Sequence, residues 1–103
     1  MLAPASAPPV ARLSVHGELD LATAPRLQAH LEELLRGGFR HLDVDLDEVD
    51  FCDVAGLNML LRAHREAERA GGGLVVRGSC PSLRLMMRVL RPVGAFELAP
   101  LDG

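Results

Sequence analysis

The acidic run Asp43-Val44-Asp45-Leu46-Asp47 has the spacing with which a calcium-binding loop begins. Such a loop also needs glycine at its sixth position and glutamate at its twelfth, where this chain has Glu48 and Val54. The run therefore reads as the solvated face of a strand, and no metal is expected. His16, His30, His41 and His64 are scattered, and none stands at ligand spacing from a cysteine or another histidine. Cys52 and Cys80 lack zinc spacing and are too few for a disulfide framework, which fits a reducing compartment. Cys52 precedes Asp53, whose charge raises a thiol pKa, the wrong direction for an activated nucleophile. No Gly-x-Ser-x-Gly elbow is present. Gly71-Gly72-Gly73 precedes a strand, whereas a phosphate cradle precedes a helix, so it reads as a turn. With neither phosphate loop nor nucleophile, a nucleotide-binding or hydrolytic protein is disfavoured. The expectation is a protein that is not an enzyme and takes no cofactor.

One segment resists a bland reading: Val49-Asp50-Phe51-Cys52-Asp53-Val54-Ala55-Gly56-Leu57. Asp53 suits a helix N-cap. Gly56 then falls in the first helical turn, where it costs about 0.5–1 kcal/mol relative to alanine. Glycine there permits another backbone to come close. That backbone belongs either to a neighbouring strand or to a partner, and the sequence leaves both open.

The elements that must hold this segment follow from periodicity. Val10 to His16 alternates, with Ala11, Leu13 and Val15 on one face, and Gly17-Glu18-Leu19-Asp20 ends that strand. Thr23 suits an N-cap and Pro25 a first helical turn. Leu27, Leu31, Leu34 and Leu35 form one helical stripe, stopped by Gly37-Gly38. Leu42, Val44 and Leu46 alternate with aspartates in a second strand. Leu57, Leu60, Leu61 and His64 mark the buried face of a second helix, His64 as a packed, hydrogen-bonded core residue. A third strand spans 74–77. Ser79 or Cys80 caps a third helix with the stripe Leu83, Met86, Met87 and Leu90, and 95–99 forms a short closing strand. Strand and helix alternate throughout, which argues an α/β fold with a mixed, mostly parallel sheet of four to five strands. A sheet covered on both faces has continuously apolar strands. Here Arg12, Ser14, Asp43 and Asp45 share one face. The helices are therefore expected mainly on the other side, with Leu13, Val15, Leu42, Val44 and Leu46 buried and Asp43 and Asp45 more exposed.

The chain has 103 residues, 49% of them hydrophobic and 24% charged, enough for one domain with a real core. Residues 1–9, which include Pro4, Pro8 and Pro9, read as a flexible arm or weak edge strand, and 10–103 as the domain. The start has neither the basic nor the apolar region of a secretion signal. No apolar run approaches a membrane span. A net charge of −3, with no Trp, no Tyr and three Phe, gives no nucleic-acid footprint and almost no base-stacking platform. All eleven basic residues are arginine, a composition typical of a GC-rich, bacterial genome.

Three stretches, in order, resemble the STAS domain family of bacterial anti-sigma factor antagonists. Gly17-Glu18-Leu19-Asp20 with Thr23-Ala24-Pro25 is similar to the family's G-E-L-D-x-x-T/S-A. Val44-Asp45-Leu46 through Val49-Asp50-Phe51 resembles its second-strand run, and Cys52-Asp53-Val54-Ala55-Gly56-Leu57 its F-x-D-S-S/A-G-L core. Gly72-Gly73 and Cys80-Pro81-Ser82 also fit, so the match spans about residues 10–98. The resemblance implies a cytoplasmic, protein-binding regulator of transcription. In the family the start of the second helix docks on an anti-sigma factor, often a serine kinase, which releases the complex by phosphorylating the motif serine. Carried over by motif position, the contact residues are Asp20, Thr23, Asp53, Val54, Ala55, Gly56 and Leu57. Val54 stands where the family has Ser or Thr, so the usual phosphate acceptor is missing. The alternative is a STAS subunit of a lipid-transport or stress-signalling complex.

Overall fold

The computed structural model describes residues 10–100. The expected arm at 1–9 lies outside them. The elements run β1 (Val10–Leu19), α1 (Ala24–Arg36), β2 (His41–Cys52), α2 (Val54–Arg69), β3 (Gly73–Arg77), α3 (Pro81–Leu90) and β4 (Glu97–Leu98). The strands form one sheet in the order β1-β2-β3-β4, and all three pairings are parallel. No antiparallel strand occurs among the described residues. Each helix is thus a crossover between adjacent parallel strands, and right-handed crossovers in one direction put every helix on the same face.

The core lies between that face and the helices. Leu42, Val44 and Leu46 from β2 and Leu74 and Val76 from β3 meet Leu57, Leu60 and Leu61 of α2, all buried. Each such leucine contributes about 1.5–3 kcal/mol by leaving water. His64 is buried on the same stripe, as expected. Its Nδ1 accepts the Leu74 backbone N–H at 3.0 Å, and its ring meets Phe96 edge-on at 6.4 Å. Leu13 and Val15 are only half-buried. They sit on the edge strand, while α1 packs chiefly against α2.

β1 and β2 run further than the alternation suggests. Register shifts fall between Ser14 and His16 and between Gly17 and Glu18, and each gives β2 one extra residue opposite β1. The inward positions of β2 are consequently Leu46, Val49 and Cys52, with two exposed residues between each pair. These bulges carry β2 to Cys52 and set Leu19 beside it.

The opposite face is polar, as expected, and Arg12, Ser14, Asp43, Asp45 and Arg77 line a shallow depression there. Asp43, however, is not the exposed residue that alternation implies. It is only 9% exposed. Arg77 Nε donates to both its carboxylate oxygens, at 2.7 and 2.9 Å, and Arg12 Nε lies 3.8 Å away. The two guanidinium groups cover the acid in the middle of an open sheet face. Asp45 is half-buried and accepts the Asp47 N–H at 2.8 Å.

Candidate functional site

The segment flagged in the sequence sits where β1 and β2 end. Leu19 pairs with Cys52, and the Asp53 N–H donates to the Leu19 carbonyl at 3.1 Å. Beyond this joint β2 passes into α2 through Asp53 alone, and β1 reaches α1 through residues 20–23. The loop from β1 into α1 and the start of α2 are therefore held side by side.

In the first turn, Asp20 closes the loop that leads into α1. Its Oδ1 accepts the N–H groups of Ala22 and Thr23, both at 3.0 Å, and its carbonyl accepts from Thr23 and Ala24. Thr23 occupies the N-cap position of α1, but its side chain makes no cap bond to the helix. Its hydroxyl points back into the loop, accepting the Asp20 N–H at 2.9 Å and lying 2.8 Å from the Glu18 carbonyl, to which it donates. The expected capping role of Thr23 is therefore not met by its side chain, because the hydroxyl finds nearer loop partners. The hydroxyl is fully occupied although the residue is exposed.

In the second turn, Asp53 is extended and caps α2, its Oδ1 accepting the Gly56 N–H at 3.0 Å. Val54 is exposed in the first helical position, and Ala55 is half-buried. Gly56 answers the question left open by the sequence. A Cβ there would stand 2.7 Å from the Leu19 carbonyl oxygen and 2.8 Å from the Cys52 sulfur. The closely approaching backbone is that of β1. Gly56 and Leu57 are buried behind this surface, whereas Asp20, Thr23, Asp53, Val54 and Ala55 keep contact with solvent.

Beneath the site, Cys52 is 1% exposed, and its thiol donates to the Asp53 carbonyl at 3.5 Å. Burial first, then Cys80 and then Asp53, push its pKa up from 9.0 to about 12. It is a packing residue and not a nucleophile. The Cys52 N–H donates to Ser82 Oγ at 2.9 Å, which fastens the end of β2 to the first turn of α3. Periodicity gives no sign of this bond, since its partners lie far apart in the chain. The expected cap of α3 is Cys80, without a side-chain cap bond.

Among the described residues no three His, Cys, Asp or Glu side chains are grouped to hold a metal ion. No helix among them is long and apolar enough to cross a membrane. The arrangement presents hydrogen-bond acceptors and small apolar groups at one end of the sheet.

The chain is similar to several known proteins. Over 71 residues, 68% of this chain, it is 35% identical to the anti-sigma-F factor antagonist RsfB of Mycobacterium tuberculosis. It spans only 58% of that relative's length. Among solved structures it resembles an anti-sigma factor antagonist from Mycobacterium paratuberculosis, with a TM-score of 0.76 and 27% identity over 89% of this chain and 78% of that one. The unphosphorylated form of the anti-sigma factor antagonist SpoIIAA shares the fold at TM-score 0.71 and 18% identity, over 93% of this chain and 84% of that one. The family model described as "Mlab, STAS domain" matches residues 2–93. With nearly the whole chain covered by that match and the fold shared, this protein belongs to the STAS domain family.

Proposed function

We propose that this protein is an anti-sigma factor antagonist. It binds an anti-sigma factor, of the serine-kinase type where that partner is a kinase, through the start of α2 and the loop from β1 into α1. Asp20, Thr23, Asp53, Val54 and Ala55 make the contacts, with Gly56 and Leu57 setting the geometry from behind. The observation that carries the reading is the joint between Leu19 and Asp53, which holds the loop before α1 beside the capped start of α2, where Val54 is exposed. The names of the relatives support the same reading. Regulation of transcription implies a cytoplasmic place of action.

Valine at the family's phosphate-acceptor position removes charge-driven release. A phosphate would bring about −1.5 to −2 charges into a surface already bearing acids. Without it, the protein stays in its binding form. Control then falls to synthesis, to competing antagonists, or to another residue.

The test uses purified anti-sigma factors of the source cell, calorimetric titration, and intact-mass measurement after incubation with ATP. Wild type binds and gains no phosphate, while Val54→Ser gains one at a helix start that tolerates negative charge. Asp53→Lys folds, losing about 1 kcal/mol with the cap, and fails to bind. A folded Asp53→Lys variant that still binds overturns the surface. A phosphate on wild type overturns the locked state. The second reading, a STAS subunit of a lipid-transport or stress-signalling complex, is favoured by the missing hydroxyl and gains if no anti-sigma factor binds.

A further inference from the structure

β1 is an outermost strand of the sheet, and among the described residues nothing pairs with its outer edge. The other outermost strand, β4, has two residues, whereas β1 has ten. Sheet edges are normally blunted by proline, lysine, an inward-pointing charge or a bulge. Between Val10 and Leu19 there is no proline and no lysine, and the inward positions Ala11, Leu13 and Val15 are apolar. Both bulges add their extra residue to β2, so β1 keeps its alternation. The core layer is also unfinished at this edge. Val44 and Leu46, inward on β2, are 0% exposed, whereas Leu13 and Val15 are half-buried. With the half-buried Leu27 of α1 they line one groove of about 370 Å³ between β1 and α1. An extended segment laid along β1 would pair with its backbone and set its own inward side chains in that groove.

The residues of the edge select that segment. Arg12 and Glu18 stand three positions on either side of Val15, both exposed on the polar side of the alternation. The Arg12 side chain is 81% exposed, and Glu18 forms no ion pair among the described residues. Antiparallel pairing about Val15 sets Arg12 of each copy opposite Glu18 of the other. Val15 then meets Val15, Ser14 meets His16, and Leu13 meets Gly17, beside which there is open space. A strand with opposite charges at equal distances from its midpoint is its own complement. A wholly acidic or wholly basic segment meets a like charge at one end.

We infer that β1 is a self-association edge, along which a second copy of this chain adds its own β1 antiparallel about Val15. The pairing closes on a twofold axis and joins the two sheets into one of eight strands. Self-association stands apart from the antagonist reading. On that reading, the dimer presents its two α2 starts at opposite ends of the joined sheet.

Sedimentation equilibrium of the full chain, with no other protein added, tests the inference. Wild type is expected to form a dimer as concentration rises. Val15→Lys places two positive charges together on the axis and leaves a monomer. Glu18→Arg, at an exposed position, weakens association about tenfold. Thermal melting checks that both variants fold. Val15→Cys is expected to cross-link two copies on mild oxidation, because facing Cα atoms of paired strands lie about 4.5–5.5 Å apart, within disulfide reach. The native cysteines are buried, and Leu13→Cys, opposite Gly17, does not cross-link. A wild type that stays monomeric up to about 1 mM overturns the inference. So does a dimer that Val15→Lys and Glu18→Arg both leave intact. Hydrogen exchange separates the other occupants. A monomer whose outward β1 amides are already protected assigns the edge to residues 1–9 and overturns the inference. Protection that appears only with an added anti-sigma factor assigns the edge to that partner and overturns it equally.

Discussion

Gly56 is one residue with two duties, closing α2 onto β1 and accepting a place in the Asp53 cap. Gly56→Ala is expected to destabilise the fold by about 1–3 kcal/mol, because the added methyl meets a backbone carbonyl that cannot step aside. Chemical denaturation measures it, and the gain in helix propensity, under about 1 kcal/mol, does not rescue it. Cys52 gives a second, cleaner readout. The chain has no tyrosine and no lysine, so the Cys52 thiol has little competition between pH 9 and 12. The Cys52 pKa is raised from 9.0 to about 12, so the folded state keeps a proton there that the unfolded state gives up. Its stabilising contribution is complete below about pH 9 and is lost as pH rises toward 12. Denaturation midpoints of wild type should fall across that window, and those of Cys52→Ala should fall less. The direction of this shift was legible from Asp53 alone. Its main cause, burial, was not, because the alternation of β2 breaks before Cys52.

That break belongs to the elements. Up to Leu46 the sequence of β2 alternates as a strand should, and those positions were readable. From there inward positions come every third residue, a pattern that suggests no regular element when read alone. It arises from pairing with β1, a long-range event that no local pattern encodes. Caps were legible where one side chain has one good partner, as at Asp53, and not where the loop competes for it, as at Thr23. Helix α2 was the most readable element, its stripe including His64. Because His64 Nδ1 accepts from Leu74 and Nε2 faces Glu68 at 3.5 Å, this ring latches α2 to β3. His64→Phe keeps much of the shape but leaves the Leu74 N–H without an acceptor. The expected loss is about 1–3 kcal/mol, measured by denaturant titration.

At the scale of the molecule, stability is graded across the sheet. β2 is paired on both sides from His41 to Asp45, whereas β4 has two residues and one neighbour. Amide hydrogen exchange should be slowest in β2 and the facing side of α2, and fast at β4. Equal protection across all four strands would contradict this grading. The one-sided helix layer was legible from the polar positions of β1 and β2. The coverage of Asp43 was not, because Arg77 reaches it from another strand.

Strand order in space is also strand order in the chain. A ribosome therefore releases the sheet in the sequence in which it is assembled: Val10 finds His41, then His41 finds Gly73. At roughly 5–20 residues per second each newcomer meets its neighbour within seconds of emerging. No segment has to be stored for a distant mate, so the nascent chain grows one crossover at a time, and each newcomer adds at the edge opposite β1.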